Sequence, residues 1–374
     1  MIPNIPIEKA ANNNTVQHWG FFTPEEVAKA NRTGEILMLD IDFGRRCSLH
    51  CPGCFRRQNQ VDGVGENDLS YHEILAVLSE AHDHGLRSVK ICGAGEPFED
   101  PGLLTLATDL TKMNVGLAIF TKGHVIGDDA WTARVFGGQG IIDGLALCQE
   151  IFKLKTSVML YYSSLSNDEL FSRLVGDQLG HHAKHACLAA ERLALAGFNK
   201  ISPTRLAFVN APITKESIGD AFEVYRFARE RNILPVTAFH MVSGKQVNKK
   251  FLLQYDPTDE QKIDLFRLIY RYNIEHGIQA PEQIAPEGIS CMPGIHPCNQ
   301  IAVGLYLTAN GNVIRCPGDC DQPLGNIRSE SIMAIWNRVR HWPFAGKFNC
   351  GCPYKDGLTI PSRVYTNFKE EILK

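Results

Sequence analysis

The sequence predicts an α/β chain: six strand–helix units over residues 35–245, then a small cysteine-rich subdomain. Three observations carry this. Short β-rich runs alternate with amphipathic stretches at a spacing that calls for parallel strands joined by right-handed crossovers. The strand signals stop near residue 245. Residues 287–360 are rich in Cys, Gly and Pro, a composition that at this size needs a metal or similar staple. Six units suit an incomplete barrel or an open α/β sheet, and periodicity alone does not choose between them.

In chain order, residues 1–34 form an arm, too short for a recognition domain of its own. The strand candidates are EILMLDIDF (35–43), RSVKIC (87–92), VGLAIFT (115–121), SVMLYYSS (157–164), TRLAFVN (204–210) and LPVTAFHM (234–241). Among the helices between them, one opens on the capping box Ser70-x-x-Glu73 and ends at Gly85. Another runs from Thr214 to Arg231. Residues 246–286 become charged and helical, a connecting segment. In residues 287–360 the strands IAVGLYLT and NVIRC flank Asn310-Gly311, a hairpin turn signal. Residues 361–374 are a tail.

Composition narrows the functional classes. A length of 374 residues suits one large core plus a smaller one. A net charge of −3 argues against broad phosphate-backbone binding, so nucleic acid is not the expected partner. The start, MIPNIPIEKAANNN, has no apolar signal region, and no run approaches the ~18 apolar residues of a membrane helix. The expectation is a cytoplasmic protein without a membrane partner. There, twelve cysteines read as metal ligands or catalytic thiols rather than disulfides.

The chemistry centres on Cys47-x₃-Cys51-x₂-Cys54, on the loop leaving the first strand. Structural zinc and complete iron–sulfur sites take four ligands. Three thiolates leave one position open, which suggests chemistry at the metal. In parallel α/β folds such sites form at the carboxyl ends of strands. The second strand runs into Gly93-Ala94-Gly95-Glu96-Pro97, where glycines let backbone approach a ligand and a lone carboxylate suits an ammonium group. The third strand ends in Thr121-Lys122-Gly123. Cys51-Pro52-Gly53-Cys54 also reads as a thiol–disulfide motif or half a zinc site, but neither accounts for Cys47 together with the Gly93–Pro97 turn.

These motifs, in this order, resemble the radical S-adenosylmethionine superfamily across residues 35–245. The resemblance implies a partial (β/α)6 barrel. It implies that Cys47, Cys51 and Cys54 bind a 4Fe–4S cluster whose open iron takes the amino and carboxylate groups of S-adenosylmethionine. Gly93, Ala94, Gly95, Glu96 and Pro97 would lie near the methionyl ammonium; Ser163, Arg173 and Asn210 match positions that contact its carboxylate or ribose. The family places an aromatic residue before the third cysteine, whereas this chain has Gly53 there, followed by Phe55, the substitute beside cluster and adenine. Reductive cleavage of the cofactor then yields a radical that takes hydrogen from an unactivated C–H bond, with a reductant such as flavodoxin or ferredoxin.

Further on, Cys298-x₁₂-Gly311-x₄-Cys316 followed by PLGNIRSESIMAIWN (323–337) resembles the SPASM/twitch extension of some members of that superfamily. It implies one auxiliary iron–sulfur cluster, of the 4Fe–4S type, held by Cys298, Cys316, Cys350 and Cys352. Cys320 is the main rival ligand and Cys291 a lesser one. A zinc-stapled subdomain is the alternative. The expected reaction is oxidation or epimerisation of a small molecule such as a sugar, aminocyclitol or amino acid. The alternatives are modification of a ribosomally made peptide with a separate recognition partner, and a non-catalytic zinc-binding or thiol-redox protein. Cys92, Cys148 and Cys187 read as small buried hydrophobes, and His181, His182 and His185 as a solvated helix start.

Overall fold

The computed structural model describes residues 2–5, 15–54, 67–177, 180–239, 253–283, 300–317 and 323–341. All six strand candidates form: β1 (Met38–Asp42), β2 (Ser88–Gly93), β3 (Gly116–Thr121), β4 (Ser157–Tyr161), β5 (Leu206–Asn210) and β6 (Leu234–Thr237). Each pairs in parallel with the next, so that every crossover adds a strand on the same side. The result is an open, partial barrel.

The sheet does not stop at β1. β7 (Gly304–Leu307) pairs in parallel with β1, and β8 (Asn312–Ile314) and β9 (Gly325–Asn326) follow antiparallel, giving the order β6-β5-β4-β3-β2-β1-β7-β8-β9. The Asn310-Gly311 hairpin thus continues the barrel sheet. Gly311 sits there at φ +82°, in the left-handed region that favours glycine. The helix Ile332–Val339 then docks on the arm: Trp336, fully buried, donates its indole N–H to the Gly34 carbonyl at 3.1 Å. Arg328 ties the same region to the helix Tyr71–Asp83 through Glu73, the acidic member of the capping box.

Strand residues alternate between two faces. Leu39, Ile41, Val89, Ile91, Ile119, Val158, Leu160, Leu206 and Phe208 pack beneath the helices in the main core. The other face lines the lumen, with Asp40 and Asp42 on β1, Lys90 on β2, Met159 on β4 and Val209 on β5. The arm closes the lumen where the strands begin. Val16 and Trp19 pack against Met159, Ala207, Val209 and Leu234, Val16 bridges Thr204, and the His18 carbonyl accepts the Ser88 hydroxyl. Lys90, buried, extends its ammonium to 4.7 Å from the Trp19 ring and pairs with Asp40 at 3.1 Å and Gln300 at 2.6 Å. Among the described residues no helix is long and apolar enough to cross a membrane.

Candidate active site

The three clustered cysteines sit where β1 delivers them, on a loop at the carboxyl ends of the strands, each half-buried and free of disulfides. Backbone bonds hold the loop from both sides. The turn after β2 lies over its start: Gly95 N–H donates to the Gly44 carbonyl at 3.3 Å and Glu96 N–H to the Arg46 carbonyl at 2.7 Å. A β-carbon at Gly95 would lie 2.2 Å from that Arg46 oxygen. The glycine is thus required for contact with the cysteine loop. Further along, His50 N–H donates to Val175, and Cys54 N–H to the Cys51 carbonyl at 3.2 Å.

The Cys47 thiol is pushed far up, first by burial, then by the neighbouring Cys51 and the Glu96 carboxylate. Thiols crowded with carboxylates need a compensating cation before they can ionise together, which is what bound iron provides. Among the described residues no three Cys, His, Asp or Glu side chains converge on a point that would hold a single metal ion. A cubane differs in its demand, since it takes three thiolates on three different irons. One loop carrying three thiols fits that group.

Glu96 is fully used within the protein. Its carboxylate accepts the Thr121 hydroxyl at 2.5 Å, Lys122 N–H at 2.8 Å and Phe98 N–H at 3.3 Å. It joins the ends of β2 and β3, and burial raises its pKa despite those bonds and the nearby His124. The Lys122 ammonium lies 3.4 Å over the Tyr161 ring at the end of β4.

At the other strand ends, Ser163 is buried beyond Tyr161, and Asn210 ends β5. Both polar atoms of the buried Asn210 amide lack a partner among the described residues. Such an amide is costly unless a ligand or water satisfies it. Arg173 does not join this group: it is largely exposed and pairs with Glu216. Cys316 is buried just after β8. Phe55, Cys291, Cys298, Cys320, Cys350 and Cys352 lie outside the described residues.

The sequence reading missed a second layer behind the cysteine loop. Glu99 accepts Ser48 N–H at 2.9 Å and the Ser48 hydroxyl at 2.7 Å, while His124 Nε2 lies 2.8 Å from the same carboxylate. Only the position of Ser48 between two cysteines hinted at it. Nor is the start of the helix His182–Leu195 solvated at His182, which is buried against Phe171 and faces His124.

Residues 298–353 match the SPASM family, described as an iron–sulfur cluster-binding domain. A curated relative, the tungsten-containing aldehyde ferredoxin oxidoreductase cofactor-modifying protein of Pyrococcus furiosus, is 27% identical over 92 residues, which is 24% of this chain and 25% of that protein. The chain thus matches only a quarter of that relative's length. Among solved structures, anSMEcpe with bound AdoMet superposes with a TM-score of 0.60 at 14% identity, covering 90% of this chain and 97% of that one. The same protein with AdoMet and the Cp18Cys peptide gives 0.57 at 15% identity, covering 90% and 96%. SuiB of Streptococcus suis gives 0.54 at 17% identity, covering 84% and 70%. The comparisons thus show a SPASM match at the C-terminal end and, over most of the chain, the fold of solved proteins that include one with AdoMet bound.

Proposed function

We propose that this chain is an enzyme that cleaves S-adenosylmethionine reductively and takes hydrogen from a substrate C–H bond. The observation that carries the reading is the Cys47–Cys54 loop, pinned beneath the β2 turn at the strand ends. Cys47, Cys51 and Cys54 would hold a 4Fe–4S cluster. When bound, cluster and S-adenosylmethionine supply a radical oxidant strong enough for unactivated C–H bonds, which no side chain does unaided. The backbone of Gly93–Pro97 and the side chains of Ser163 and Asn210 would bind the cofactor; the unsatisfied Asn210 amide favours this. Cys316, with Cys298, Cys350 and Cys352, would hold one auxiliary cluster, Cys320 being the rival ligand. The reductant belongs to the flavodoxin or ferredoxin class.

The substrate reading is a small polar molecule, such as a sugar, aminocyclitol or amino acid, that is oxidised or epimerised. The lumen supports it: Asp42, bonded to the Tyr306 hydroxyl at 2.5 Å, and the Asp40–Lys90 pair line a chamber whose floor the arm closes. A second reading, modification of a peptide, is favoured by the likeness to anSMEcpe, solved with a peptide bound. Anaerobically purified protein is expected to hold about eight irons, two 4Fe–4S clusters, and to release 5′-deoxyadenosine when reduced with S-adenosylmethionine. Colourless, zinc-loaded protein that releases none overturns the proposal.

A further inference from the structure

We infer that Glu99, held by Ser48 and His124, is a positioning residue that sets the reduction potential of the cluster on the Cys47–Cys54 loop. The inference rests on that loop holding a cluster, as proposed above.

Glu99 is buried, and its carboxylate accepts three donors: the Ser48 backbone N–H, the Ser48 hydroxyl and His124 Nε2. The Ser48 hydroxyl also lies 3.2 Å from His124 Nε2, so the three side chains close a small network. Burial alone would raise the Glu99 pKa. Hydrogen bonds from His124 and the Ser48 amide outweigh it and hold the carboxyl below its ordinary value, so the group is an anion at neutral pH.

Two consequences reach the cluster. First, the amide joining Cys47 to Ser48 gives its N–H to Glu99, so that donor is withheld from cysteine sulfur. Hydrogen bonds to sulfur are among the factors that set cluster potentials. Second, the Glu99 carboxylate lies 2.9 Å from the amide nitrogen of the residue after Cys47, so it brings a negative charge up against the cysteine loop. Nearby negative charge disfavours adding an electron and lowers the potential. Ser48 and His124 moderate that charge by donating to it.

The two substitutions that isolate the effect move the potential in opposite directions. Glu99→Gln keeps an acceptor for the Ser48 amide but removes the charge, so the midpoint moves up. Ser48→Ala removes one donor and leaves the carboxylate less neutralised, so the midpoint moves down. The readout is a potentiometric titration of the whole reduced protein, followed by electron paramagnetic resonance. The loop cluster is recognised as the one whose signal responds to added S-adenosylmethionine. The expected change for Glu99→Gln is about tenfold in the reduction equilibrium, about 59 mV for one electron, with iron content retained. Should Glu99→Gln fail to hold its clusters, a downward shift in Ser48→Ala alone supports the inference. Midpoints that stay put, or move together, in variants that keep their iron overturn it. A native protein with no signal that responds to S-adenosylmethionine defeats the proposed function instead.

Discussion

Gly95 and Arg46 meet backbone to backbone, so closely that any side chain at residue 95 would begin 2.2 Å from the Arg46 carbonyl oxygen. Both are backbone atoms, so no rotamer relieves the contact. The β2 turn and the cysteine loop must separate if residue 95 gains a β-carbon.

Gly95→Ala is therefore expected to destabilise the fold by about 1–3 kcal/mol, the usual range for overpacking. Its sharper effect is on the loop: iron falls to about half, one 4Fe–4S cluster of two, and S-adenosylmethionine cleavage is lost while the C-terminal cluster survives. Gly137→Ala, where nothing lies within 4 Å of the added carbon, is the control and leaves iron unchanged. Full iron in Gly95→Ala would refute the contact's importance.

The C-terminal ligand set separates by substitution. Cys316→Ala is expected to halve the iron and leave the cluster responsive to S-adenosylmethionine intact, because Cys316 is buried beside the β7–β8 hairpin. Cys320→Ala is expected to keep both clusters. The reverse pattern in iron analysis would exchange the two residues' roles.

The buried pair in the lumen gives a stability test. Lys90 and Asp40 are both enclosed, and burial raises the Asp40 pKa against the pull of Lys90. Lys90→Met strands the carboxylate, which costs about 3–5 kcal/mol for a buried ion left alone. Adding Asp40→Asn should recover most of that loss in urea unfolding. A double variant no more stable than Lys90→Met would show that the lysine stem, packed on Trp19, matters more than its charge.

Much of this was legible in local sequence. The strands announce themselves as apolar runs with turn residues at both ends, and Ser70 with Glu73 forms the reciprocal cap its spacing implies. A hairpin does form at Asn310-Gly311, though its turn spans Thr308–Gly311, closed by Gly311 N–H on the Thr308 carbonyl, with Gly311 alone of the pair in the left-handed region. The partner of β7 was not legible, because a strand 266 residues downstream carries no mark of the edge it will join. Glu96 illustrates the same limit: in the sequence it is a carboxylate suited to an ammonium, and only the fold brings Thr121 and Lys122 to it. Glu99 and His124 stand apart in sequence and meet Ser48 only after β2 and β3 align.

His182 supplies a pH test. Burial, then the neighbouring His124, Lys122 and His185, lower its pKa from 6.5 to about 2. The native state therefore keeps the ring neutral where the unfolded chain takes up a proton below pH 6.5. The unfolded state binds more protons, so stability falls as pH drops through that window, by about 1.4 kcal/mol per pH unit. His182→Leu removes the titrating ring while keeping an apolar occupant beside Phe171. Its urea midpoint should depend less on pH between 6.5 and 4.5 than that of the native chain. His18, lowered by burial to about 4, contributes to both proteins alike, as does the acid lability of bound clusters, so the difference reports His182. Parallel pH profiles for the two proteins would mean that the His182 ring is protonated in the folded state.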